Sequence, residues 1–411
     1  MIEKYYSGVI EQIYNRIGKE TRNIVMANYS NDFSIENLEV IRRYQSNEDN
    51  VFFAYSEFSY NTLIGAYEPF LDIICNMHRR FIGGSFDDFQ KECGVYYLHR
   101  QVLNSYYETG ECFREEMVLL NEVAYEQRRM TMAIADMLKS LSEVKPLMIV
   151  INRFQMASKS SIETIKYLID NPCANIGIVL GVNALVKGAD STVEVWDSIV
   201  ESLEDRSAVY YIGSAGQLKN TVKTTNDDEM YITMNFEQSI QEASNIMEFL
   251  DFEQAKRGCR IIEHKLKFED AWIDEKSLRR FYMVYARTSV LLGEMSKAIE
   301  LTNEFKALIP ENDSEHYLSL YYFMKGTCYM YQGKLEKAGN SAKSAYDYAV
   351  LAEDDILIFK AELLSVMIKM SGWYNIFFCV QDIPVSDEII EKLIKHGYRN
   401  YLAHIYLSLI H

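Results

Sequence analysis

Three short segments in the second half of the chain share one pattern and constrain its fold more than any other feature. They are Asp251-Phe252-Glu253-Gln254-Ala255, Glu294-Met295-Ser296-Lys297-Ala298 and Lys334-Leu335-Glu336-Lys337-Ala338. Each opens an apolar-periodic helix, and the anchoring alanines lie 43 and 40 residues apart. A recurring unit of this length is the mark of a stacked helical-repeat array, in which each helix pair buries its apolar face only against its neighbours. Such arrays present extended surfaces to partners. From residue 236 onward the sequence reads as helix pairs: 236–250 with 252–266, 278–292 with 296–308, and 317–331 with 335–352. A weaker fourth unit has its inter-helix turn at Gly372-Trp373-Tyr374, and Phe377 stands where an alanine is expected. Residues 386–397 and 401–411 form a last pair. The apolar end without a capping helix suggests that the parent chain continues or pairs with another.

The first 235 residues read differently. Residues 3–29 carry Ile10, Ile13, Tyr14 and Ile17 at helical spacing, so the whole stretch is expected as one amphipathic helix. Ser34 caps a second helix. Residues 51–55 form a short strand, 64–80 a long helix, and further helices fill 89–140. Then come strand 147–151, helix 160–170, strand 175–181, helix 193–203 and strand 208–212. Val/Ile-rich strands alternating with helices imply a parallel sheet with crossover helices. The polar span 219–228 reads as a surface loop. The expected architecture is an α/β domain over 1–235 and an all-α helical superhelix over 236–411.

Composition narrows the function classes. A net charge of -17 argues against a general nucleic-acid or anionic-membrane surface. No run of about 18 apolar residues exists to span a bilayer. The charged N-terminus is not a secretory signal. Seven cysteines (75, 93, 112, 173, 259, 328, 379) form no C-x-x-C pair, which fits free, mostly buried thiols in a reducing cytoplasm. Thirty tyrosines suit helical repeats, where the ring packs and the hydroxyl reaches water.

Residues 50–215 resemble the ATPase core of STAND-type signalling proteins, the AAA-like modules that precede helical repeats in large LuxR-type regulators and some nucleotide cyclases. The resemblance rests on element order, on Phe154, Gln155 and Ala157 after the 147–151 strand, and on Tyr67-Glu68-Pro69-Phe70. It implies a P-loop-like sheet. The chain departs from the pattern where chemistry would occur. Asn152 and Arg153 stand at the degenerate Walker B position, in place of the carboxylates that would hold Mg²⁺ and orient water. The nearest match to a phosphate loop, Ile17-Gly18-Lys19-Glu20-Thr21, lacks the first glycine and has Glu20 at the metal-binding hydroxyl position. It reads as helix surface.

The second half resembles tetratricopeptide repeats. Gly293, Ala298 and Pro310, and then Gly326, Tyr329, Gly333, Ala338 and Ala345, occupy the small, aromatic and proline positions of that pattern. These residues are structural: Gly and Ala leave room where antiparallel helices cross.

Other constellations carry little chemistry. Phe81–Phe86, with Gly83-Gly84, reads as a turn. Gly177 and Gly181 mark close packing in a strand. Gly213-Ser214-Ala215-Gly216 reads as a loop, with an anion-binding nest as the alternative. The histidines show no metal-ligand spacing, and His78 and His99, beside arginines, are expected at the surface or the core edge. No G-x-S-x-G elbow or other catalytic motif is present.

The expectation is therefore a non-catalytic regulatory module with no cofactor and no metal. It would be cytoplasmic and bind a protein or peptide through the helical surface, with self-association of the tyrosine-rich face a further option. It would signal to an output domain, for instance a diguanylate cyclase, beyond His411, because the chain holds neither a G-G-D-E-F motif nor a basic helix-turn-helix. An ATP-dependent switch with a divergent site and a free-standing scaffold are the alternatives.

Overall fold

The computed structural model describes residues 2–29, 38–46, 50–58, 63–112, 114, 118, 120–183, 201, 209–211, 235–268, 273–312, 314–375, 387–396, 398, 402 and 405. The chain forms two compact units, 1–270 and 271–411.

The first unit is built on a five-stranded parallel sheet in the order β2-β3-β4-β1-β5. Its strands are β1 (Ile24–Tyr29), β2 (Phe52–Glu57), β3 (Leu147–Asn152), β4 (Ile176–Asn183) and β5 (Val209–Tyr211). Register is set by pairs such as Ala27 with Gly181, Ile149 with Ile178, and Phe52 with Leu147. Every residue of β3 is buried, as an apolar strand covered on both faces requires. Helices α1 (Ile2–Arg16), α2 (Glu39–Ser46), α3 (Phe70–Met77), α4 (Phe86–Glu92), α5 (Tyr97–Thr109), α6 (Val123–Val144) and α7 (Lys159–Asp170) complete the α/β body. The expected parallel sheet is present.

Several boundaries differ from the expected ones. The single helix expected over 3–29 is α1 followed by the central strand β1. A short apolar run cannot be told from a helix segment by periodicity alone. What separates them is Gly18, at φ 79°, which ends α1 and turns the chain into the sheet. Ile17–Thr21 is consequently a turn at the amino end of β1, not helix surface. The helix expected over 64–80 begins only at Phe70 and closes in a π-helical turn, His78–Ile82. His78 and His99 are fully buried rather than peripheral. The His78 ring packs among Phe86, Phe89 and Tyr107, and Nδ1 lies 3.1 Å from the Tyr107 hydroxyl. Ser34, helix 193–203, Gly213–Gly216 and loop 219–228 lie outside the described residues.

The glycines of β4 do what close packing demands. A Cβ on Gly177 would stand 2.9 Å from Ile13 and Ile17, and one on Gly181 would stand 2.1 Å from the Tyr6 hydroxyl. Two residues four apart in a strand share a face. Helix α1 therefore lies directly on β4.

The pair α8 (Phe236–Glu248) and α9 (Phe252–Phe268) belongs to the first compact unit, although its sequence groups it with the repeats beyond 235. Buried and half-buried polar side chains join it to the α/β body. Asn245 accepts from the Cys112 N–H at 2.9 Å and donates to Gly110 O at 3.0 Å. Arg114 and Gln127 donate to the carbonyls of Glu248 and Leu250. Asp251 accepts from the Ser160 N–H at the start of α7, and Gln254 donates to Ile64 O.

The second unit is helical: α10 (Glu275–Leu291), α11 (Met295–Ala307), α12 (Ser314–Tyr331), α13 (Leu335–Leu351), α14 (Asp355–Asn375) and α15 (Asp387–His396). Gly372-Trp373-Tyr374 lies within α14, so no inter-helix turn occurs there. At Gly326 a Cβ would meet Leu364 at 3.0 Å and Ser341 at 3.3 Å, and this close approach brings α12 against α13 and α14.

One turn recurs along the chain. Leu250, Gly293, Gly333 and Glu353 all adopt positive φ, between 52° and 78°. The following residues, Asp251, Glu294, Lys334 and Asp354, donate to Ile246, Ser289, Tyr329 and Ala349 respectively. This is the six-to-one bond of a Schellman helix end. Next, Ala255, Ala298, Ala338 and Ile358 donate back to those same residues and open the next helix. The three alanines are completely buried. The sequence period is thus a repeated backbone geometry.

Candidate functional site

In an open parallel sheet, ligands sit beyond the carboxyl ends of the strands where the strand order reverses. Here the chain leaves β1 for the far edge at β2, returns through β3 and β4, and places β5 on the other side of β1. The reversal is at β1. The segment that follows it, Ser30-Asn31-Asp32-Phe33-Ser34-Ile35-Glu36-Asn37, contains neither glycine nor lysine. A phosphate cradle made from backbone N–H groups needs glycine for close approach, and a lysine to neutralise the phosphate.

At the carboxyl ends of β2 and β3 the structure brings together Glu57, Asn152 and Arg153. Asn152 is fully buried, and its carbonyl accepts from the Phe58 N–H at 3.1 Å. Its side-chain oxygen lies against Gly181. Arg153 has a left-handed backbone, φ 55°, and its guanidinium reaches back across the strand ends. Nη1 lies 3.1 Å from Glu57 Oε1 and donates to Phe58 O at 3.3 Å. The Tyr55 hydroxyl donates to the other Glu57 oxygen. The Glu57 carboxylate is therefore matched by an internal cation, Arg153. A divalent ion here would have to displace a guanidinium and then sit beside it, which Coulomb repulsion opposes.

Behind this edge, Tyr67 takes a left-handed backbone at φ 57°. Its N–H donates to Ser160 Oγ at 3.0 Å, and its buried ring packs edge-on to Phe249. Ser158 caps α7, and its hydroxyl lies 3.0 Å from those of Ser160 and Ser161. The Tyr67–Phe70 segment is thus a junction that ties the start of α3 to α7 and to the α8–α9 pair.

A second concave feature lies beside that junction. A cavity of about 260 Å³ is lined by Glu68, Asp72, Tyr106, Glu242, Asn245 and Phe249 among others. Glu68 accepts from the Gly65 N–H at 2.9 Å, and Asp72 accepts from the Tyr106 hydroxyl at 3.0 Å. Burial, then the charges of Glu68 and Asp72, push Glu242 up to about 7. Burial likewise raises Glu68, partly opposed by its backbone hydrogen bond. Only Glu68 belongs to a segment that the sequence marks. Asp72, Tyr106 and Glu242 are far apart in the chain and carry no motif, so only packing assembles them.

A third cluster is the buried pair His99 and Glu126, with Nε2 3.1 Å from Oε2. Burial outweighs the carboxylate and lowers His99 to about 4, so the imidazole is neutral at pH 7 and the contact is not an ion pair. Among the described residues no group of three His, Cys, Asp or Glu side chains is placed to hold a metal ion. None of the described helices is long and apolar enough to cross a membrane.

No protein-family model matches the chain, and a search of curated proteins finds no match.

Proposed function

We propose that this chain is a regulatory, non-catalytic module: a degenerate STAND-like α/β domain joined to a tetratricopeptide-like helical region. It binds a protein or peptide partner and passes that event to an output domain of a bacterial signalling protein, in the cytoplasm. The observation that carries this reading is the Arg153–Glu57 ion pair, a fixed cation at the strand edge where the resembled ATPases hold Mg²⁺ between carboxylates. The absence of glycine and lysine from residues 30–37, directly after the strand at the reversal, supports it independently. The recurring Schellman turn and the close helix approach at Gly326 support the repeat reading, because both are ways of stacking short antiparallel helices.

Calorimetric titration of the 411-residue chain with MgATP and MgADP tests the reading. The expected result is no binding heat at millimolar nucleotide. Micromolar affinity would overturn it in favour of a working nucleotide switch with a divergent site. The partner side is tested by truncating the chain after residue 270 and measuring capture of a partner by the full chain and by the fragment.

A further inference from the structure

We infer that the cavity lined by Glu68, Asp72, Tyr106, Glu242 and Phe249 is a binding site for a small organic cation, a primary ammonium group on a short alkyl chain. Its space of about 260 Å³ falls just below the range typical of drug-sized ligands, which sets the size class.

Charge sets the chemistry. Among the described residues three carboxylates line the cavity, and no Lys, Arg or His does. Glu68 and Asp72 are each held by one neutral donor, the Gly65 N–H and the Tyr106 hydroxyl. The Glu242 carboxylate has no hydrogen bond or ion pair with a described residue. One of its oxygens lies 3.0 Å from where a Cβ on Gly65 would be, and a Glu68 oxygen lies 3.3 Å from the same point. Glu68 and Glu242 are half-buried and Asp72 is exposed, and like charges gathered in one concavity are unfavourable unless one is protonated or a cation joins them.

The walls choose between kinds of cation. A metal ion needs three or more converging ligands, and no described group of acidic, His or Cys residues provides them. Leu63, Ala66, Leu71 and Ile246 contribute hydrocarbon to the lining, alongside Gly65 and the Asn245 amide. The Tyr106 and Phe249 rings, 5.4 Å apart between centroids, offer aromatic surface. A short alkyl chain can lie on those apolar side chains, and an ammonium gains from both the carboxylates and the rings.

The position of the site gives the ligand a consequence. Asp72 is on α3 and Glu242 on α8, so a bound cation bridges the α/β body to the α8–α9 pair. This assignment is independent of the strand-edge reading. It would stand if that site bound nucleotide, and its failure would leave that reading untouched.

The test uses the full chain with ethylammonium, n-butylammonium and 1,5-diaminopentane as probes, against n-butanol and NaCl at matched ionic strength, by calorimetry and thermal shift. At least one amine should bind saturably and raise the melting temperature, and n-butanol should not. Because the cation competes with the proton at Glu242, which burial and its acidic neighbours raise to about 7, affinity should rise by up to about tenfold per pH unit below pH 7 and level off above it. Glu242→Gln should weaken binding by about tenfold or more, as loss of a charge-assisted contact predicts. Asp72→Asn should weaken it as well, and guards against a folding defect in the first variant. Glu92→Gln, an exposed acidic site on α4, should leave binding unchanged. No saturable binding of any amine, equal binding by Glu242→Gln and Asp72→Asn, or a response matched by NaCl would each overturn the assignment.

Discussion

Glu242→Gln should make this protein more stable at alkaline pH and flatten its stability profile. The carboxyl sits on α8 against Glu68 and Asp72, and burial followed by those two charges raises it from 4.5 to about 7. A folded-state value above the unfolded one means that folding binds a proton. The proton-linked stability is fully present below pH 4.5 and is lost as pH rises through about 7. The gap corresponds to a ceiling of about 3 kcal/mol. At about pH 6 some 2 kcal/mol of that has already gone, and between pH 6 and 8.5 the remainder, about 1 kcal/mol, follows. Glutamine keeps the shape and removes the titration. The difference in stability between variant and wild type should therefore grow by about 1 kcal/mol over that interval. The assay is denaturant unfolding with hydrogen exchange of residues 236–248, in amine-free buffers at several pH values. A constant difference between the two proteins across pH 6–8.5, or one that grows in the opposite direction, would refute the reasoning. It would mean that the carboxyl is hydrated or already paired.

Gly181→Ala should destabilise the first unit by about 1–3 kcal/mol, the usual cost of overpacking, because the new methyl meets the buried Tyr6 and Asn152 side chains; a melting temperature within error of wild type would show that α1 can lift away. Asp251→Ala removes the carboxylate that accepts from Ser160 and Gln254 N–H groups, so exchange protection should fall in α8 and α9 first, with a loss of about 1–3 kcal/mol; uniform loss across the sheet would contradict that wiring.

The strand edge and the acidic cavity show how differently sites announce themselves. Asn152 and Arg153 close an apolar strand where the resemblance to STAND-type ATPases would place carboxylates, so that departure reads directly from the residues. That the Arg153 guanidinium turns back onto Glu57, far away in sequence, requires the β2–β3 pairing. The acidic cavity joins residues from positions 68 to 242. In a chain with 59 acidic residues, these three have no local signature.

By itself, the sequence determined the repeated turn, the strands near 51–55, 147–151 and 175–181 with the helix 160–170 between the last two, and the glycines that mark close packing. Each of these depends on local backbone preference or on a period of a few residues. Only the tertiary structure decided that 24–29 is the central strand, that His78 and His99 are core residues, and that the 236–268 pair packs with the sheet domain. Those outcomes depend on which distant surface an apolar or polar face finds. Ile24–Tyr29 becomes a strand because β4 and β5 offer it partners. Similarly, α8 and α9 join the first unit because Asn245, Asp251 and Gln254 meet backbone groups more than 90 positions away that burial would otherwise leave unsatisfied.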